Sequence, residues 1–453
     1  MPNPLAVPRV NRIRYELAPG TPFVNLVLES GKTINVIPHY LESLEDRVFA
    51  TGSPRLTKFT FYDRSWDTLE NLLIPSRHRI RWAYGWVGGD WTGVIPGIIN
   101  VYKPSFSMEG ARLEITAMEV VEKRTPGIWT RFFDDGRPSS VSHAPQNAKQ
   151  IKPSRISDIV RHIATEMGVP ADIEETDGKS VWGQHNETNM AFIERLSLFA
   201  KSKTGRVDFE ARLNGGRLYF GTPDYAPYRT FYFFRDQSGP VLSYEAVINQ
   251  NQIFGGKWDR LRVASWDPTE KKAIGHEVNL TTGSGTGGRV PLAKEAFDPP
   301  GLKRATAGRL YVAPYEDASL AETYNRRKFE ESARKIAQCR ITLIGDPTFR
   351  VGDTFTVIVI TDRGDVHYTS GEWKSDVVTH KITPGNFVTE ITAHSDGHRL
   401  AGIENIGRLV KRDFQPRPTK SGETIKEAKM DEKAILKQLT SGFKDSFKGI
   451  GGS

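Results

Sequence analysis

The sequence predicts a mainly β chain with a smaller α+β part and a helical C-terminal tail. Three observations carry this. Apolar runs with a period of two, broken by Pro and Gly, fill the first ~120 residues and return after residue 229. Between these regions the apolar spacing changes to a helical period. From residue 406 onward the strand pattern is lost and charge accumulates.

The first region sets the pattern. In RIRWAYGW (79–86), Ile80, Trp82, Tyr84 and Trp86 fall on one face and Arg79, Arg81, Ala83 and Gly85 on the other, as in a half-buried strand. Phe59 and Phe61 alternate with Thr60 and Tyr62, and Leu113 and Ile115 with Glu114 and Thr116. Turn signals at Gly52 to Pro54, Pro75, Gly88-Gly89, Pro96-Gly97, Pro104 and Gly110 divide these runs. Many short strands so punctuated predict a barrel or sandwich over 1–125. Residues 126–153 read as a connecting loop.

Residues 154–225 read as helix, helix, hairpin. Ile156, Ile159, Val160, Ile163, Ala164 and Met167 form one helical stripe. Ser154 is expected to cap its start, and Gly168, followed by Pro170, its end. A second stripe, Phe192, Ile193, Leu196, Phe199 and Ala200, follows Thr188 as N-cap and is expected to run to Gly205. Val207 and Phe209, the Asn214-Gly215-Gly216 turn, then Leu218 and Phe220 predict the hairpin.

Residues 226–405 return to β pattern, with a glycine loop (GSGTGG, 283–288) and a long helix expected at 319–337. FRVGDTFTVIVI predicts one strand, and DVVTHKITPGNFVTEITAH two strands joined at Pro384-Gly385. In 406–453, KRDFQPRPTKSG reads as a linker and 423–441 as a solitary charged helix bearing Ile425, Ala428, Ile435, Leu436 and Leu439. A helix with no core of its own either docks on another surface or frays.

The 453 residues carry 62 Lys and Arg against 54 Asp and Glu, a net charge of +8. That small excess serves solubility or contact with a polyanion. No apolar run is long enough for a membrane span, and MPNPLAVPRVNRIRYELAPG lacks the apolar core of a secretory signal. A single cysteine, Cys339, excludes an intrachain disulfide and a Cys-based zinc site, and reads as a buried bystander.

Candidate chemistry is sparse. His394 and His398 flank Asp396, but a metal needs three or four converging ligands and a strand running into a glycine turn does not guarantee them. Asp134-Asp135 before Gly136 reads as a solvated turn, since adjacent carboxylates seldom span a glycan-cleaving cleft. GSGTGG lacks the Lys and Ser/Thr of a phosphate loop. Ser139, Ser140, Ser142 and His143 form no nucleophile elbow. His185 and Glu187 precede the second helix, and Glu194 and Arg195 point away from its stripe. No catalytic, cofactor-binding or metal-binding residue is assigned, no cofactor is expected, and the chain reads as a non-enzyme.

Gln184, Glu187, Thr188, Asn189, Phe192, Ile193, Arg195 and Leu196 resemble the pattern Gln-x-x-Glu-Ser-Asp-x-x-Phe-Leu-x-Arg-Leu of the late control protein D family, the baseplate or tail hub proteins of tailed phages. Type VI secretion spike proteins share that module. Other pieces are similar in order: RWAYGW, Gly97, KPSFSMEGARLEITAME, VASWDP, GDPTFRVGDTFTV, and SGEWKSDVVTHKITPGNFVTEITA with Gly352, Gly371 and His380 in place. LSLFAKSKTG runs about a turn longer than the family's form before its glycine.

The resemblance implies two tail-tube-like β-barrel domains (1–125 and 226–405) flanking a small α+β insert. It implies a homotrimeric ring of six barrels that adapts a sixfold tail tube protein to a threefold central spike protein. DNA would pass through the channel. Baseplate proteins and the tape measure protein would be further partners, and the tail beyond Lys411 would dock on one of them. The expected location is the virion tail baseplate, assembled in the host cytoplasm, with the spike on a separate chain. Competing readings are a cell-wall glycan hydrolase, which requires a cleft with paired carboxylates, and a polyanion- or glycan-binding module.

Overall fold

A computed structural model describes residues 20–27, 33–36, 40–50, 54–63, 79–119, 127–139, 151–214, 216–233, 239–248, 260–267, 272–279, 309–312, 320, 322–324, 326–328, 337–360, 367 and 369–395. The GSGTGG loop, His398 and the whole tail from 406 lie outside the described residues.

The first seven strands are β1 Pro22–Val27, β2 Thr33–Asn35, β3 Leu41–Phe49, β4 Leu56–Asp63, β5 Arg79–Trp86, β6 Ile95–Ser107 and β7 Gly110–Glu119. The middle region holds β8 Ile128–Asp134, β9 Arg137–Pro138, α1 Ile156–Met167, β10 Ala171–Ile173, β11 Trp182–Thr188, α2 Asn189–Ser197, β12 Glu210–Asn214 and β13 Arg217–Gly221. Then follow β14 Arg229–Phe233, β15 Val241–Ile248, β16 Arg260–Asp267, β17 Lys272–Asn279, β18 Arg309–Val312, β19 Ala337–Ile344, β20 Thr354–Val359, β21 Gly371–Thr383 and β22 Asn386–Ser395. The chain is mainly β, as its alternating runs predict.

One sheet of 13 strands dominates, ordered β15-β19-β22-β21-β3-β4-β7-β6-β5-β1-β2, with β14 and β20 attached beside β21. Strand β21 is its pivot. One edge pairs with β22 along most of its length. On the other edge Gly371 to Lys374 pair with β20, and Val377 to Ile382 pair with β3. A bulge between Ser375 and Val377 marks the handover.

Two cores use this sheet. Val24, Leu44, Phe59, Phe61, Trp82, Tyr84, Leu113 and Ile115 build the first, joined by Ile382 and Phe387 from the distant β21–β22 hairpin. Phe231, Ile341, Phe349, Phe355, Trp373, Val378 and Ile391 build the second, joined by Val48 from β3. Burying each such side chain stabilises the fold by about 1.5–3 kcal/mol. The third core belongs to the middle region, where α1, α2 and the β10-β13-β12 sheet enclose Ile159, Ile163, Phe192, Leu196, Phe209 and Phe220.

Several local expectations hold and several need correction. Gly168 ends α1 with φ 70°, and the Thr188 hydroxyl accepts from Ala191 N at the start of α2. Ser154 does not cap α1. The N-cap is Arg155, with no side-chain cap bond, because the Ser154 hydroxyl accepts from Gly136 N and donates to Phe133 O. Helix α2 stops at Ser197, well short of Gly205, although Phe199 and Ala200 remain buried.

Residues 128–138, expected as loop, form β8 and β9 around an Asp135-Gly136 turn with φ 45° and 84°. Both positive angles suit a tight hairpin turn. Strand β5 is not half-buried: Arg81 and Ala83 are covered too, and beyond the strand the chain folds back so that Trp91 bridges Gly85. Of the helix expected at 319–337, residues 320, 322–324 and 326–328 are helical, and Ala337 already starts β19.

Candidate functional site

Polar side chains gather at three places, each built by the strands and helices around it. The first surrounds Gln184 and Arg195. Strand β8 carries Arg131 beneath β11, opposite Gln184. Arg131 Nε donates to Gln184 Oε1 at 2.9 Å, and its two Nη groups reach the Glu166 carboxylate at 3.0 and 2.8 Å. Arg131 Nη2 also donates to Asn189 Oδ1 at 3.0 Å. Gln184 Nε2 donates to the Glu187 carbonyl at 3.1 Å. A bulge at Asn186, with φ 52°, turns Glu187 toward Arg195. Arg195 Nη2 then binds Glu187 Oε1 and the Gly183 carbonyl, each at 2.6 Å. The polar residues of this stretch therefore hold α2 against β11 and β8. Gln184 is 0 % exposed and meets no solvent.

The second cluster lies in the main sheet. Asp46 sits at an inward position of β3, between Leu44 and Val48, and is 0 % exposed. Arg55 Nε donates to its two oxygens at 2.9 and 2.8 Å, and Thr57 donates to Oδ1 at 2.7 Å. The Tyr84 hydroxyl donates to Asp46 and accepts from Arg55 Nη2. Burial alone would raise the Asp46 carboxyl, but the charge and hydrogen bonds of Arg55 override it and hold it below its ordinary value. Burial pushes the His380 imidazole, across from Asp46 on β21, down to about 4, so it is neutral near pH 7. Its Nδ1 lies 3.0 Å from Thr389 Oγ1. Burial raises the Glu119 carboxyl, against the pull of Arg55.

The third cluster joins the middle region to the main sheet. Lys374 on β21 pairs with Glu210 on β12. Burial would raise the Glu210 carboxyl; Lys374 and Arg212 hold it low instead. Arg212 Nη1 donates to the Val351 carbonyl at 3.0 Å. Its guanidinium lies where a Cβ on Gly352 would be, 1.6 Å from Nη1, and Gly352 has φ 82°. Only glycine fits there. Gly216 N, at the β12–β13 turn, donates to Glu119 Oε1 at 2.8 Å.

The carboxylates and cations of these clusters bind one another or backbone groups, and Asp46, Gln184 and Lys374 are buried. Among the described residues, no three His, Cys, Asp or Glu side chains converge as metal ligands. His394 Nδ1 lies 2.8 Å from Asp376 Oδ2, a partner that sequence spacing did not suggest. Asp134, the last residue of β8, accepts from Lys152 N, and the turn itself is Asp135-Gly136. Cys339 is buried in β19, and burial raises its thiol. Among the described residues, no helix is long and apolar enough to cross a membrane.

Asp46 and Arg55 were not singled out from sequence. The available signal was an acidic residue on the inward face of an alternating strand, LESLEDRVF.

No protein-family model matches the chain, and no curated protein matches it. Solved structures do share its shape. The tail protein from Neisseria meningitidis MC58 superimposes with a TM-score of 0.54 at 11 % identity, over 84 % of this chain and 98 % of that one. The 43 kDa tail protein of prophage MuSo2 from Shewanella oneidensis gives 0.54 at 10 % identity, over 83 % and 99 %. At such identities the likeness is one of fold, and it extends over nearly the whole of both tail proteins.

Proposed function

We propose that this chain is a structural hub of a phage tail baseplate or a related injection device. Three copies form a ring that joins a sixfold tail tube to a threefold spike and leaves a channel for DNA. The observation that carries the reading is the shared fold with two tail proteins along almost their full length. It coincides with the resemblance of residues 184–196 and of the ordered motifs to the hub family.

Two features of the chain suit this role. Its main sheet carries two cores side by side, which supports two tube-like domains per chain and six per trimer. The α+β insert is held to that sheet by the Lys374–Glu210 and Arg212–Val351 contacts. The domain division at 1–125, 154–225 and 226–405 belongs to this proposal, as do the tube, spike and baseplate partners.

The test is the solution mass by light scattering after size exclusion, with negative-stain images of the peak. A ring of about 150 kDa, three times the 50.8 kDa chain, is the expected result. A monomer that persists at high concentration with the spike protein present overturns it.

A further inference from the structure

The sheet β11-β8-β9 has two faces of different kind. One carries Arg131, Phe133, Trp182 and Gln184, all buried. Phe133 and Trp182 join the core that α1 and α2 enclose. The other face carries Ile128, Thr130 and Phe132 of β8, with Gly183 and His185 of β11 and Val181 just before it. Pairing register sets Phe132 opposite Gly183 and Thr130 opposite His185.

This second face is apolar where water meets it. Ile128 is 66 % exposed and Val181 41 %. The rings of Phe132 and His185 meet edge to face at 5.4 Å. They lie over Gly183, where a Cβ would fall 2.8 Å from Phe132 Cε1 and 2.5 Å from His185 Nε2. The missing side chain lets both rings rest on the sheet. Between Ile128 at one end and Phe132 and Val181 at the other lie Thr130 and His185, both exposed.

An antiparallel sheet with one packed face ordinarily turns polar groups to water on the other. Apolar groups there mark a surface that another element covers, and a helix is a common cover for a sheet. The sequence holds a stretch suited to it. At helical spacing, residues 423–441 place Ile425, Ala428, Ile435, Leu436 and Leu439 on one stripe, with Glu432 at its middle. Apolar ends thus flank one carboxylate, as Ile128 and the Phe132–Val181 pair flank His185 and Thr130. An imidazole and a hydroxyl can each donate to a carboxylate.

The dimensions agree. Ile425 to Leu439 spans about 21 Å as helix. Strand β8, with 7 residues, spans about 20 Å. Thirty residues separate Ser395, the last of β22, from Ile425. Extended, they cross up to about 100 Å.

We infer that residues 423–441 dock as an amphipathic helix on the outer face of β8 and β11, with Glu432 set against His185 and Thr130. The occupant is the tail of this chain, from the same copy or from the next. The two apolar ends leave water together, and the central carboxylate fixes the register along the sheet. Docking of this kind needs no ring, so it stands or falls apart from the hub reading.

Full-length chain carrying both Thr130→Cys and Glu432→Cys is oxidised beside each single variant. Native Cys339 is buried. The expected result is a disulfide in the double variant only. A bond within one chain assigns the tail to its own copy, and a bond between chains assigns it to the next. Chymotrypsin cleavage after Leu436 and Leu439 reads the docking without new thiols. Ile128→Asp, at an exposed position, should speed that cleavage about tenfold, the equivalent of one apolar side chain no longer buried. His185→Glu and Glu432→Lys should each speed it, and the two together should restore protection.

No disulfide in the double variant, or equal cleavage of wild type and Ile128→Asp, overturns the docking and leaves the hub standing. Maleimide labelling of Thr130→Cys that is slow in the full chain, and equally slow once 420–453 are removed, means that another partner covers this face, and overturns it too. A chain that forms the disulfide yet stays monomeric with its spike present overturns the hub and leaves the docking standing.

Discussion

Asp46→Asn tests whether the buried cluster of β3 is held by charge or only by shape. Asparagine has nearly the same volume, so no cavity opens. What changes is the sign of one atom and the charge of the group. Asp46 accepts from three residues, Arg55, Thr57 and Tyr84, with Arg55 donating through both Nε and Nη2. An amide can still accept from Thr57, but its NH2 must face Arg55 or Tyr84.

Arg55 is then a cation only 8 % exposed, with its counter-charge removed. Breaking one side of a buried pair in this way costs about 3–5 kcal/mol. That is a large part of the stability of an ordinary domain. Urea unfolding followed by fluorescence measures it, as a lowered midpoint at unchanged slope. A second variant, Asp46→Leu with Arg55→Met, removes both charges and should lose less than the single change. A loss below about 1 kcal/mol for Asp46→Asn, or a double variant worse than the single, refutes the electrostatic account.

Three further outcomes follow from the same packing. His380 is held neutral with its pKa down to about 4, against 6.5 when exposed, so its contribution is intact above 6.5 and is lost as pH falls toward 4. The loss is up to about 2 kcal/mol between pH 7 and 5, and His380→Gln should show a correspondingly smaller drop in urea midpoint. Gly97→Ala puts a methyl 2.3 Å from the buried ring of Trp82, and should lower the melting temperature by an amount matching about 1–3 kcal/mol. Thr188→Ala removes the cap of α2 and should cost about 1 kcal/mol in the same assay, whereas Ser154→Ala should not act through α1 helicity.

The strand runs were legible because period two is imposed by the backbone itself, and β4, β7 and β22 follow it closely. The stripe of α1 was legible for the same reason at period 3.6. Boundaries were less so. Helix α2 ends early, and the chain after it leaves the helical path to bridge Ser202 to Thr176 and to accept from Asp177 N at Lys201 O, partners that propensity cannot foresee. Ser154 looked like a cap from neighbours in sequence, yet its hydroxyl is claimed by β8 and the turn after it.

The cluster at Asp46 was hidden because Asp46, Thr57, Tyr84, Glu119 and His380 come from five different strands, with Arg55 just before β4, and are brought together only by sheet order. The Gln184 module could be read as a resemblance before its purpose was visible. Its purpose depends on Arg131, which lies 53 residues earlier and in a segment that reads as loop.

Strand β21 deserves a mechanical reading. Its first residues serve the core around Trp373 and its last serve the core around Phe59, with no turn or linker between. Two lobes joined by a flexible tether can twist apart under load. Here the connection is extended strand: β21 and its two neighbours, β3 and β22, each contribute to both cores. Pulling one lobe relative to the other shears a ladder of hydrogen bonds instead of swinging a hinge. The two cores are therefore coupled by backbone hydrogen bonds along their junction, and a load on one is shared by the other.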